Sequence, residues 1–244
     1  MTVILYNIAL GGEDLETFVV KELDFSNASI RRGFIRKVYS ILSVQLGITL
    51  TFICWFLYHT PTRYYVQTHI GLYLISVLLV FVTLIALSCY GELRRRAPYN
   101  YIALMIFTLA ESLCLACIAS YYEIDGVAIA VGITAGVCLG LTLFAFQTKW
   151  DFTMMGGILY VSLLIFVLSL FIAIFLRGRT LHLVLAALGT LLFSVYLVYD
   201  TQLMMGGKHK YSLSPEEYVF AAINLYLDVS NLFMFILSLG GRRN

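Results

Sequence analysis

The sequence predicts an all-α polytopic membrane protein of seven transmembrane helices, with the C-terminal helix at the centre. Three observations carry this prediction. Of 244 residues, 61% are hydrophobic and 12% charged, against ~45–50% and ~25% in soluble domains, so there is too little charge to cover a water-facing surface. Seven apolar runs each approach the ~20 residues that cross ~30 Å of hydrocarbon, far longer than the ~9–11 residues of a barrel strand. The last run also carries a polar stripe, which belongs against other helices or a pore rather than against lipid. With three prolines, 18 glycines and a net charge of +2, the composition also excludes disorder, collagen-like repeats and nucleic-acid binding.

Taken in order, residues 1–36 read as a short cytosolic tail, with five acids before residue 30 and a basic turn at Arg31, Arg32, Arg36 and Lys37. The tail lacks a basic n-region and a cleavage site, so it is a poor signal peptide. Residues 37–240 form the seven-helix transmembrane domain, with spans at 38–58, 70–90, 101–122, 127–146, 154–176, 181–199 and 218–239, and 241–244 a C-terminal tail. Each span must be a helix, because lipid satisfies no backbone hydrogen bond. Pro61, the run Arg94-Arg95-Arg96-Ala97-Pro98 and Gly206-Gly207 mark short connections. The five cysteines lie inside the runs and read as packing groups, Cys114 and Cys117 included.

Starting inside, one side collects eleven Lys and Arg and the other five, so the N-terminus is expected in the cytosol. The last run leaves an alternative. Re-entry would return Arg242 and Arg243 to the cytosolic side, whereas an apolar length of 22 residues favours a full span. Gly132, Gly136 and Gly140 form a doubled small-xxx-small pattern that predicts close packing of the fourth span against a neighbour.

Eleven of the fourteen acids lie in tails, connections or span edges. Glu111 and Asp228 are mid-span, and Asp200 ends the sixth run. An ionised carboxylate at the bilayer centre costs ~2.5–3.5 kcal/mol, so such residues persist where they pair, stay protonated or face water. Along the last run Glu217, Ala221, Asn224, Asp228 and Asn231 recur at helical spacing and share one face. Ser214-Pro215-Glu216-Glu217 reads as a capping box with proline at the first helical position; Glu216 and Glu217 mark a cytosolic mouth, where Glu216, needing no capping partner, is free to attract cations. The sixth and seventh spans are antiparallel neighbours, so Asp200 and Asp228 are expected to meet and to titrate as one coupled unit. Separate hydrogen bonding of the two acids is the plainer alternative. Glu111, with Thr108 and Ser112 on its face, either lines the same interior or bonds a backbone carbonyl. His59, His69, His182 and His209 have no metal-ligand spacing, and no cofactor is expected.

Three blocks of sequence then resemble a known family. Asp200-Thr201-Gln202-Leu203, Ser214-Pro215-Glu216-Glu217-Tyr218-Val219-Phe220-Ala221-Ala222 and Asn224-Leu225-Tyr226-Leu227-Asp228-Val229-Ser230-Asn231-Leu232-Phe233 look like the C-terminal signature of the transmembrane Bax-inhibitor-motif (lifeguard) family. Arg36-Lys37-Val38-Tyr39-Ser40-Ile41-Leu42 and Thr148-Lys149-Trp150-Asp151-Phe152 are also similar to its pattern. The family has cellular and poxviral members. The resemblance implies a last helix surrounded by six, a pH-sensitive calcium leak from Golgi and endoplasmic reticulum stores, and suppression of cell death. It places the family's paired aspartates on Asp200 and Asp228, which would hold Ca²⁺ transiently as the permeant ion, with Asn224, Asn231 and Glu111 lining the path. Membrane lipid, a second copy and other death-regulating membrane proteins are the partners it suggests. Ser230, where members usually carry an apolar residue, departs from the pattern. The tail also lacks the Pro/Gly/Tyr-rich extension of some members.

An enzyme is the competing class. Intramembrane aspartyl proteases also place aspartates on consecutive helices, and Tyr199-Asp200 mimics the first. Their Gly-x-Gly-Asp and Pro-Ala-Leu elements are absent, since Asp228 follows Leu225-Tyr226-Leu227. No enzymatic activity is expected. A non-conducting adaptor acting through protein contacts is the rival to the channel.

Overall fold

A computed structural model describes residues 28–176, 178–206 and 210–242. Most of the expected tail, the Gly207 half of the glycine pair and the final two residues lie outside the described residues. The chain forms α1 (Ala28–Tyr58), α2 (Thr60–Thr68), α3 (Gly71–Cys89), α4 (Gly91–Arg95), α5 (Tyr99–Ala119), α6 (Ile124–Gln147), α7 (Gly156–Phe175), α8 (Arg179–Met205) and α9 (Tyr218–Gly240), with 3₁₀ turns at Phe152–Met155 and Pro215–Glu217. Seven of these helices are long and apolar enough to cross a membrane.

The boundaries differ from expectation at the polar edges. α1 begins at Ala28, ten residues before the first apolar run, because a helix continues through basic residues once lipid no longer limits it. In the first connection, Pro61 opens a helix instead of a loop: His59 caps α2 through the Thr62 amide, and the proline occupies its first turn, where its missing N–H is no loss. α8 runs through Met205 and stops at Gly206, whose φ of 58° lies in the left-handed region glycine tolerates.

α9 is the axis of the bundle. It packs on α8, α1, α6 and α5, and 78% of its apolar window is buried, against 17–50% for the other six spans. α7 lies outermost, packs mainly on α8 and reaches α9 through Phe166 against Phe235. The core divides into two clusters. One surrounds Phe107, Tyr196, Met204 and Tyr226; the other surrounds Phe56, Tyr122, Phe233 and Leu237 at the far end of α9.

The far end also decides between span and re-entry. Arg63 of α2 donates to the carbonyls of Ser120 (2.9 Å) and Tyr122 (2.7 Å), and Gln67 donates to Ser120 (2.6 Å). The Glu123 amide donates to the Arg242 carbonyl at 3.0 Å. The chain beyond α9 therefore meets the turn between α5 and α6. α9 starts at the opposite end, so its 23 residues cross the whole bundle, about 34 Å at 1.5 Å per residue. Re-entry is excluded.

The glycine stripe of the fourth span is a correction. Gly132, Gly136 and Gly140 are exposed, and a Cβ built on each would meet nothing within 4 Å. They pack against no element among the described residues. The close approaches occur elsewhere, at Gly156 against the Tyr199 hydroxyl and at Gly189 between Phe166 and Phe235.

Candidate functional site

Asp200 sits five residues before the end of α8, and Asp228 lies ten residues into α9. Those positions are ~7 and ~15 Å from the respective helix ends, so α9 must start beyond the level at which α8 stops. The connection arranges this by folding back, with the Leu213 amide bonded to the Leu203 carbonyl at 3.0 Å. The result is the expected meeting: the two carboxyls lie beside each other and interact. Both are buried, Asp200 with 5% and Asp228 with 4% of its surface exposed.

Four helices surround the pair. Tyr196 of α8 neighbours both carboxyls and spends its hydroxyl on the Leu159 carbonyl of α7 at 2.8 Å. Cys138 of α6 lies beside Asp228. Tyr39 of α1 brings its hydroxyl beside Thr142 and Thr201, yet neither that hydroxyl nor the Thr201 Oγ1 has a hydrogen bond of good geometry. Asp228 Oδ2 is likewise unsatisfied within the protein, as is Ser230 Oγ on the Tyr226 side of α9, away from the pair. Buried polar atoms are nearly always paired, so a group of unpaired oxygens around two carboxyls fits a proton, water or a cation. Among the described residues, no group of three His, Cys, Asp or Glu is placed to hold a metal ion.

The remaining expected residues are placed differently. Asn224 is buried on α9 at 3% exposure, one turn from Asp228. Asn231 is half-buried and donates its amide to the Leu227 carbonyl of its own helix at 2.8 Å. Glu111 is not brought to the aspartates; its neighbours are Tyr73, Cys114 and Tyr226. Glu216 is exposed at the start of α9. Glu217 corrects the capping-box and mouth readings together. Ser214 Oγ accepts from the Glu216 amide at 3.4 Å, and the buried Glu217 carboxylate accepts from Arg95 of α4 at 2.7 Å.

Several supports had no clear sequence signal. Asn100 donates to the Tyr218 hydroxyl at 3.0 Å, and Lys37 Nζ lies 3.3 Å above the Tyr218 ring, so three elements grip the first turn of α9. Gln202, two residues from Asp200, donates to the Trp150 carbonyl (2.9 Å) and accepts from the Phe152 amide (2.7 Å). Asp151 accepts from the Thr153 and Lys210 amides. On the other side of α9, Tyr226 joins a buried hydroxyl network. Its OH is 2.7 Å from Thr49 Oγ1, which lies 2.9 Å from Ser112 Oγ, and Gln45 donates to Thr108 at 3.0 Å. The i, i+4 recurrence of Gln45 with Thr49 and of Thr108 with Ser112 was its only trace in the sequence.

Comparison with known proteins agrees with this geometry. Residues 31–244 match the family Bax1-I, described as inhibitor of apoptosis-promoting Bax1. Protein lifeguard 3 of Mus musculus and of Homo sapiens are each 39% identical over 225 residues, 91% of this chain and 72% of theirs. Protein lifeguard 4 of Mus musculus is 40% identical over 212 residues, 87% of this chain and 86% of its own length. The chain belongs to the Bax-inhibitor-motif, or lifeguard, family of anti-apoptotic membrane proteins.

Proposed function

We propose that the chain is a pH-sensitive calcium leak of Golgi and endoplasmic reticulum membranes, which lowers store calcium and thereby restrains apoptosis. The observation that carries this reading is the contact between Asp200 and Asp228, buried on and beside the central helix. Intramembrane acids mark ion and proton paths, and a cation path through hydrocarbon needs fixed negative charge. Ca²⁺ takes about six to eight oxygens. The two carboxylates, the Thr201 and Tyr39 hydroxyls and the Asn224 amide would supply part of that shell, with water completing it. The ion is cargo and not a resident cofactor.

A proton shared between the carboxyls holds α8 against α9. Its loss leaves like charges to repel or to be bridged by Ca²⁺, and either outcome biases a two-state helix arrangement. The Lys and Arg asymmetry assigns the end carrying α4 and the start of α9 to the cytosol, with exposed Glu216 at the mouth. Membrane lipid, further copies of this chain and other death-regulating membrane proteins are the partners this role implies. The test is full-length protein reconstituted into liposomes enclosing a calcium indicator. Calcium movement above protein-free liposomes, changing with pH, is the expected result. Its absence across acidic and neutral pH would favour the non-conducting adaptor.

A further inference from the structure

An apolar groove runs between α1 and α5 on the outside of the bundle, enclosing about 270 Å³. Ile41, Val44 and Ile48 form one wall, Leu104 and Met105 the other. Its floor is closed by Gln45, whose amide nitrogen donates to Thr108, and by Thr108, which donates to the Leu104 carbonyl; Gln45 Oε1 is buried without a partner. Val44 and Met105 are 59% and 47% exposed, so the groove opens sideways where the spans meet hydrocarbon. One end is marked by Ser40 and Tyr101. Lys37 lies one helical turn beyond Ile41 at that end, with exposed Arg36 beside it. The described ion pairs engage Arg95 and Arg96 and give neither Arg36 nor Lys37 a carboxylate.

A laterally open apolar groove ending at two basic side chains at the membrane surface has the chemistry of one ligand class. We propose that this groove binds an anionic glycerophospholipid of the adjoining leaflet, with one acyl chain between α1 and α5 and the phosphate at Lys37 and Arg36. Charge complementarity selects the headgroup, since basic residues flanking a span attract anionic lipid. The lateral opening selects a lipid over a soluble phosphate ester. Lys37 also touches the ring of Tyr218, so the headgroup and the first turn of the central helix share one side chain. The site rests on the cytosolic assignment of this end and holds whether or not the chain conducts.

The test uses full-length protein in liposomes doped with a photoreactive phosphatidylserine carrying a diazirine in its acyl chain, compared with a phosphatidylcholine carrying the same chain. The serine probe should label residues 40–48 and 101–108 roughly thirtyfold more strongly, the weight of two basic residues at an anionic surface, and the preference should shrink with salt. The double substitution Arg36→Gln and Lys37→Gln should equalise the probes. Val44→Trp, which fills a groove whose wall is already exposed, should remove labelling by both, with thermal stability confirming that each variant is folded. Equal labelling by the two headgroups, labels mapping elsewhere, or full labelling of Val44→Trp would overturn the proposal. Displacement by soluble glycerophosphoserine as effective as by phosphatidylserine vesicles would reassign the site to a soluble phosphate.

Discussion

Arg95 donates to the buried carboxylate of Glu217 at 2.7 Å, tying the short helix α4 to the first turn of the central helix. Glu217 is 11% exposed at its side chain and Arg95 42%. The pair therefore falls between exposed pairs, worth ~0.2–1 kcal/mol, and buried ones, where removing one partner costs ~3–5 kcal/mol. Glu217→Gln and Arg95→Gln should each lower thermal stability, and the double variant should lose less than the sum of the two. Additive losses in a detergent thermal-shift cycle would show that the contact is not coupled. Glu216→Gln, an exposed site, should leave stability unchanged and reduce calcium flux at low salt only.

The glycines divide by what surrounds them. A Cβ at Gly189 would stand 2.7 Å from Phe235 Cγ and 2.8 Å from Phe166 Cζ, inside a cluster where those rings are edge-on at 5.3 Å. Gly189→Ala should cost ~1–3 kcal/mol through overpacking. Gly136→Ala faces open space and should be neutral or gain up to ~1 kcal/mol of helix propensity. Melting temperatures of the two variants check the contrast, and equal effects would contradict the packing.

These two cases also separate what the sequence disclosed from what it did not. Span number, the centrality of α9 and the meeting of Asp200 with Asp228 were legible, because length, hydropathy and helical spacing are properties of one segment at a time. The Glu217 partner was not: the capping box is a local pattern, whereas Arg95 lies 122 residues away. The glycine stripe misled for the same reason, since four-residue spacing shows which face is small but not whether a neighbour covers it. α2 was hidden by Pro61, which reads as a turn until His59 is seen capping the helix.

Topology follows from the charge asymmetry. Epitopes inserted at Trp150 and at Tyr211, neighbouring connections at one end of the bundle, should both be cleaved by protease added outside intact Golgi vesicles. An epitope after Thr68, at the opposite end, should be protected. Reversed protection would invert the assignment and remove Glu216 from the cytosolic mouth.

Proton dependence is assigned to the aspartate pair. Among the described residues, the titratable groups near it are Tyr196, Tyr199 and Cys138, with Tyr39 beside Thr201, while Glu111 lies elsewhere. Asp200→Asn keeps the shape but cannot share a proton symmetrically, so the pH dependence of flux should disappear even if leak persists. A wild-type pH profile in Asp200→Asn would move the sensor to another group, with Glu111 the next to substitute.

Calcium efflux from liposomes containing wild-type protein or Asp228→Asn tests most directly whether cations pass the aspartate pair. Asparagine preserves shape and hydrogen bonding but removes one charge-assisted contact with the ion, worth ~1.5–3 kcal/mol, so flux should fall roughly tenfold or more with thermal stability retained. Asp228→Leu should abolish flux and also destabilise, by leaving its buried polar neighbours unpaired. Efflux from the Asp228→Asn protein equal to wild type, at matched reconstitution, would contradict the claim that cations pass the aspartate pair.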